Sequence, residues 1–170
     1  MISGGAARFT CLGPARRGTM TAGANDGGRV PLARTDLQKL ADVRLAEARA
    51  LLAAGLWDGA YYLAGYAVEC ALKACVMAYV ERTGAIFEDR KFSEKCWTHD
   101  FNALVEVAKL EPARAAEAAA HPPFRVNWRT AEGWKETSRY ARVGEADARS
   151  LLTAIDDPTH GVLAWIKRHY

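Results

Sequence analysis

The sequence predicts an all-α protein, an up-and-down helical bundle of about five helices behind a disordered N-terminal tail. Three observations lead there. Apolar residues recur at helical spacing through most of residues 35–170, and no stretch alternates at period two for long enough to make a strand. The first 34 residues are Gly, Ala, Arg and Thr with almost no large apolar side chains, too few to offset the entropy of ordering them. The chain has 170 residues, half of them hydrophobic, which is enough to close one core without metals or disulfides.

Residues 1–34 form the expected tail, with Met20 a candidate for the true start of translation. The first helix is expected to begin at Thr35-Asp36-Leu37-Gln38, a capping-box spacing, and to end near Gly55. Leu37, Leu40, Ala41, Leu45, Ala48, Leu51 and Leu52 make its core stripe. Arg44 lies inside that stripe, either snorkelling to solvent or meeting a carboxylate on another helix.

A second helix is expected from Trp57 and Asp58, with Asp58 as its cap, to about Thr83 before Gly84. Ala60, Ala64, Ala67, Ala71, Cys75 and Ala78 give it a face of small residues against which another helix can pack closely. Asp58, Tyr62, Tyr66, Glu69 and Lys73 collect on a second face, either a solvated stripe or the lining of a groove. Residues 87–97 read as a loop. Thr98 is placed to cap a third helix carrying Asp100, Phe101, Leu104, Val105 and Ala108, which Pro112 stops. Residues 113–120 form a short helix closed by His121-Pro122-Pro123. Residues 128–142 read as helical with Gly133 a weak point, 146–156 as another helix, and a last helix starts at Asp157-Pro158 to pack Val162, Trp165 and Ile166.

Charge and motifs exclude several chemistries. Residues 1–34 carry five arginines against Asp26, a balance of +4 out of the chain's +3, so the bundle stands at −1. A nearly neutral bundle lacks the general attraction to phosphate behind non-specific nucleic-acid binding, so such binding has to be local. No glycine-rich phosphate loop, Gly-x-Ser-x-Gly elbow, His-Glu-x-x-His or paired acidic triplet is present. No metal or other cofactor is expected. Cys70 and Cys75 sit about 140° apart on a helical wheel and read as buried apolar residues, while Cys96 and His99 are half a zinc site without a second half. No run reaches the eighteen or so apolar residues of a membrane span, and no apolar leader is seen, so a cytoplasmic protein without membrane contact is expected.

Three places remain for a site: Tyr66, Glu69 and Lys73 on the second helix; His99 and Asp100 at the start of the third; and residues 125–142. The last holds Arg125, Arg129, Lys135, Arg139 and Arg142 against Glu132 and Glu136, interleaved with Trp128, Trp134 and Tyr140. At helical spacing, Lys135, Arg139 and Arg142 would share one face.

Tyr61-Tyr62-Leu63-Ala64-Gly65-Tyr66-Ala67-Val68-Glu69-Cys70-Ala71-Leu72-Lys73, then Thr98-His99-Asp100-Phe101 with Leu104, then Trp134 with Arg139-Tyr140, resemble in order and spacing the HEPN domain family (higher eukaryotes and prokaryotes nucleotide-binding). The resemblance covers about residues 32–170 and makes 35–170 a HEPN-like bundle. It implies one of two functions: a metal-independent RNase, often a toxin, or a helical partner of a minimal nucleotidyltransferase in a toxin-antitoxin pair. RNase members share an Arg, four to six residues, then His; only Arg114 and His121 fit that spacing here. The leading expectation is a non-catalytic protein binding a nucleotide, RNA or a partner protein through Tyr66, Glu69, Lys73, His99, Asp100, Arg139 and Tyr140. The rival is an RNase toxin using Arg114, His121 or His99. A third is a dimerisation module, since such bundles commonly pair and a homodimer is implied.

Overall fold

The computed structural model describes residues 32–84 and 90–170. Most of the expected tail, and with it Met20, lies outside the described residues, whereas Arg34, assigned to that tail, is the first residue of helix α1. The helices are α1 (Arg34–Ala53), α2 (Trp57–Thr83), α3 (Arg90–Lys95), α4 (Phe101–Val107), α5 (Glu111–Ala120), α6 (Pro122–Glu132), α7 (Glu145–Asp156) and α8 (Val162–Ile166). Two 3-10 turns, Glu136–Tyr140 and Lys167–His169, complete the fold, and no strand occurs among the described residues. The all-α bundle is as expected. The count of five was too low because its second half is cut into short helices by turns that periodicity does not register.

The organising element is α2, which touches α1, α4, α7 and α8. Its small-residue face works as the sequence suggests: Ala60, Ala64, Ala67 and Ala71 are wholly buried and Cys75 nearly so. Most of that face is thus used inside the chain, while Ala78 at its far end is partly exposed. Contrary to the expectation that no segment is apolar enough, α2 alone among the described helices has the length and mean hydropathy (1.4) of a membrane span. Its apolar window is 61% buried inside the bundle, as the core helix of a bundle is.

Helix ends show where local chemistry departs from the sequence reading. The α1 start lies two residues earlier than the Thr35 capping box: the Asp36 carboxylate accepts from the Ala33 amide at 3.0 Å, and no side chain caps from Thr35. Its other end is a Schellman turn, with Gly55 at φ 76°, the Gly55 amide donating to Leu52 (3.2 Å) and Leu56 to Leu51 (2.9 Å). Arg44 pairs with Glu47 of its own helix rather than with a neighbouring element.

Residues 90–95, read as loop, form α3. The cap of α4 is Asp100, whose carboxylate accepts from the Ala103 amide at 3.0 Å, while Thr98 accepts from the Asp100 amide at 3.1 Å. The cap thus lies two residues beyond the Thr98 expected, and Thr98 bonds the amide of the capping residue itself. Pro112 does not stop α4. A second Schellman turn does so earlier, with Lys109 in the left-handed region (φ 60°) and Leu110 donating to Val105; Pro112 instead enters the first turn of α5. Asp157 does not open the last helix; its carboxylate holds the Thr159 and His160 amides in a turn before α8.

Asp58 does not cap α2 either. Its carboxylate accepts from the Val143 amide at 2.6 Å and pairs with Arg142 at 3.0 Å, tying residues 142–143 to the start of α2. The Val143 bond, then Arg142, hold its carboxyl below the usual aspartate range. A depressed folded pKa means the tie is fully present above the ordinary aspartate pKa and is lost as pH falls through the lowered folded value. Asp58→Ala should therefore strip exchange protection from the Val143 amide at neutral pH, and unchanged protection would show that another group holds the loop.

Candidate functional site

The carboxylate of Glu69 is the one buried charged side chain among the described residues, 2% exposed on the inner side of α2. The α2 stripe is therefore not merely a solvated face. Oε1 of Glu69 accepts from Lys73 Nζ at 2.8 Å, one helical turn on, and lies 2.9 Å from His99 Nδ1. The other ring nitrogen of His99 is 3.3 Å from Glu136 Oε2, and Glu136 Oε1 in turn pairs with Arg139 Nη1 at 2.6 Å. The result is a connected chain of polar side chains: Lys73, Glu69, His99, Glu136, Arg139.

Three separate pieces of backbone supply it. The α2 helix places Glu69 and Lys73, and the Asp100 cap sets where the chain turns into α4, which fixes His99 just before it. The 3-10 turn Glu136–Tyr140 brings Glu136 and Arg139 over the ring. Asp100 joins from the side through Lys135 Nζ at 3.0 Å. Its carboxyl is held below the usual range by the Ala103 amide and then by Lys135.

Trp134 anchors the third piece. Its ring is 1% exposed, stacks on Phe101 (centroids 5.2 Å, 12° between planes) and lies 6.1 Å from Tyr62. Tyr62 stacks on Tyr66 at 6.0 Å and 8°. Burial first, then the nearby anions including Glu69, raise the Tyr66 pKa, so its hydroxyl remains a donor at neutral pH.

Of the seven residues singled out for binding, Glu69, Lys73, His99 and Arg139 share this chain. Tyr140 stacks under Arg139, with the guanidinium 4.9 Å from its ring centroid. Asp100 and Tyr66 border the chain. The expected basic face of residues 128–142 does not exist, because α6 ends at Glu132 and the 3-10 turn breaks the helical register. Lys135, Arg139 and Arg142 instead meet three different carboxylates, those of Asp100, Glu136 and Asp58. Glu136 is the member that sequence reasoning passed over; its position three residues before Arg139, the only anion in that turn, was the available signal.

Of the RNase candidates, His99 lies in this chain, whereas Arg114 and His121 go elsewhere. Arg114 hydrogen-bonds Asn102 at 3.2 Å and lies over the Trp128 ring, while His121 stacks on His160 and faces Glu117. Neither touches the other or the Glu69 chain. Cys96 donates to the Phe92 carbonyl at 3.3 Å, and among the described residues no group of three or more His, Cys, Asp or Glu side chains is placed to hold a metal. Cys70 and Cys75 are buried with their thiols pushed up to about 12, which leaves them protonated and unreactive. No family model, curated protein or solved structure matches the chain.

What the arrangement offers chemically is an oriented imidazole. Glu69 holds Nδ1 from below, leaving the half-exposed ring to direct Nε2 outward. Arg139 points at the same carboxylate from the far side. Both groups thus face a single acidic group, Glu136. Tyr140, under Arg139, is 79% exposed, and Trp97, two residues before His99 in sequence, is 78% exposed.

Proposed function

We propose that the chain binds a nucleotide or short single-stranded RNA in the groove beside α2, with a phosphate replacing the Glu136 carboxylate between His99 and Arg139. The observation that carries this reading is the convergence of His99 Nε2 and Arg139 on one exchangeable anion, with the ring held from behind by a buried carboxylate. Tyr140 and Trp97 supply the faces on which bases stack, a contact worth about 1–3 kcal/mol per base. The resemblance of residues 61–73, 98–101 and 134–140 to HEPN proteins supports the same groove.

Fluorescence anisotropy with a labelled single-stranded RNA in EDTA tests it. His99→Ala and Arg139→Ala should each weaken binding about tenfold, the cost of a charge-assisted hydrogen bond. Glu136→Gln should strengthen it, because the competing internal anion is removed. A wild-type protein that fails to bind, or a Glu136→Gln variant that binds less tightly, overturns the reading. The same samples run on a gel separate binding from chemistry: His99-dependent cleavage would make this groove an RNase centre.

A further inference from the structure

A cleft at the opposite end of α2 from Asp58 has no residue in common with the Glu69 chain. It holds about 610 Å³ and is walled by the last turn of α2, the start of α1 and the 3-10 turn Lys167–His169. Three arginines from these three elements line it, Arg34, Arg82 and Arg168, with Glu81 the one acidic side chain on its wall. Residues 1–31 hold Arg8, Arg16, Arg17 and Arg29 against Asp26, a balance of +3, so residues 32–170 sum to zero. A neutral domain thus gathers three guanidinium groups at one concavity.

The partners of these arginines show what the cleft is ready to accept. Arg34 leans on Glu81 at 2.9 Å and Arg168 on Glu117 at 2.9 Å, both partly exposed pairs of the kind that contribute little. Arg82 has no ion pair among the described residues; its guanidinium rests 5.9 Å from the Tyr79 ring. Tyr79 and Tyr170 bring aromatic surface and hydroxyl donors to the same wall, and burial pushes the Tyr170 hydroxyl up to about 12, so it stays a donor. Cys75, as a protonated thiol, and His169, whose pKa burial lowers, also line the cleft.

We infer that this cleft is a second ligand site, for the phosphate or diphosphate group of a small molecule. Arg82 makes the primary contact, and Arg34 and Arg168 swing from their carboxylates to share the anion. Guanidinium groups suit the task because their planar forks pair two N–H groups with two phosphate oxygens. The cleft volume falls in the range of small-molecule sites, about 300–1,000 Å³. No covalent step is involved.

Isothermal titration of the full chain with inorganic pyrophosphate, at about 0.15 M salt with sulfate as an ionic control, tests this inference. Wild type should bind pyrophosphate in preference to sulfate. Arg82→Ala should weaken binding about tenfold and Arg82→Ala with Arg168→Ala should abolish it, with helicity by circular dichroism unchanged. Arg149→Ala, at an exposed arginine of α7 outside both sites, should leave pyrophosphate affinity as in wild type, so that loss of one positive charge is not by itself what the titration reads. No heat from wild type up to about 1 mM pyrophosphate, equal affinity for sulfate, or full binding by the double variant would overturn it. So would loss of binding in Arg139→Ala, which would place the anion beside His99.

Discussion

Replacing Gly65 with alanine should destabilise the protein by about 2 kcal/mol, although the general rule for a mid-helix glycine predicts a gain of about 1 kcal/mol from the same change. The reversal is steric. A Cβ at Gly65 would stand 2.3 Å from Cδ1 and Cγ of Trp134, inside the indole ring. The ring has no room to retreat, since Phe101 stacks on it at 5.2 Å and Trp134 is all but fully buried. Overpacking a rigid aromatic costs about 1–3 kcal/mol or more, which outweighs the entropy recovered from the glycine. In a Trp134→Leu background the obstruction is gone, and Gly65→Ala should then raise the melting temperature. Thermal denaturation of the four proteins of this cycle reads the coupling directly. A rise in melting temperature for Gly65→Ala in the wild-type background would show that the contact is not tight.

The fold was legible in the sequence wherever a helix is long enough to show its period. The extents of α1 and α2, the small-residue face of α2 and the stop at Gly55 all follow from spacing and from one glycine's freedom at positive φ. The second half was harder to read because its breaks are made by backbone geometry. Lys109 adopts a left-handed conformation that its side chain does not advertise, and the 3-10 turn at Glu136–Tyr140 has the same composition as a helical segment. Caps were misplaced by one or two residues for a related reason: Thr35, Asp36, Thr98 and Asp100 are all competent acceptors, and tertiary packing chooses among neighbours.

The site was legible as a set of residues but not as a circuit. Glu69 and Lys73 are an i, i+4 pair visible on any helical wheel, yet nothing local says that Glu69 is buried. That follows from Trp134 lying on Gly65, one turn earlier in α2, and from the loop before α4 closing over the same face. Glu136 was hidden because a helical reading of residues 128–142 puts attention on the cations of an imagined face rather than on the anion between His99 and Arg139.

Removing both side-chain partners of Glu69 should cost far more than removing Glu69 itself. Lys73→Ala with His99→Ala leaves a carboxylate only 2% exposed with no countercharge, while its second oxygen already lacks a hydrogen-bond partner. Stranding a buried charge costs about 3–5 kcal/mol. In Glu69→Leu the residues left behind are Lys73 and His99, whose heads are 23% and 43% exposed and so reach water. Leucine fills the apolar surroundings, and exchange of a buried ion pair for a packed apolar group is often neutral or stabilising. Urea denaturation should therefore show Glu69→Leu close to wild type and the Lys73, His99 double variant well below it. Glu69→Leu should nevertheless lose RNA affinity, because nothing then fixes His99 Nδ1 and the ring is free to turn Nε2 away from Arg139. A stable Glu69→Leu protein that still binds RNA as tightly as wild type would separate the buried carboxylate from binding. A Glu69→Leu protein as unstable as the double variant would instead make Glu69 a structural element of the bundle, retained for its ion pairs rather than for the orientation of His99.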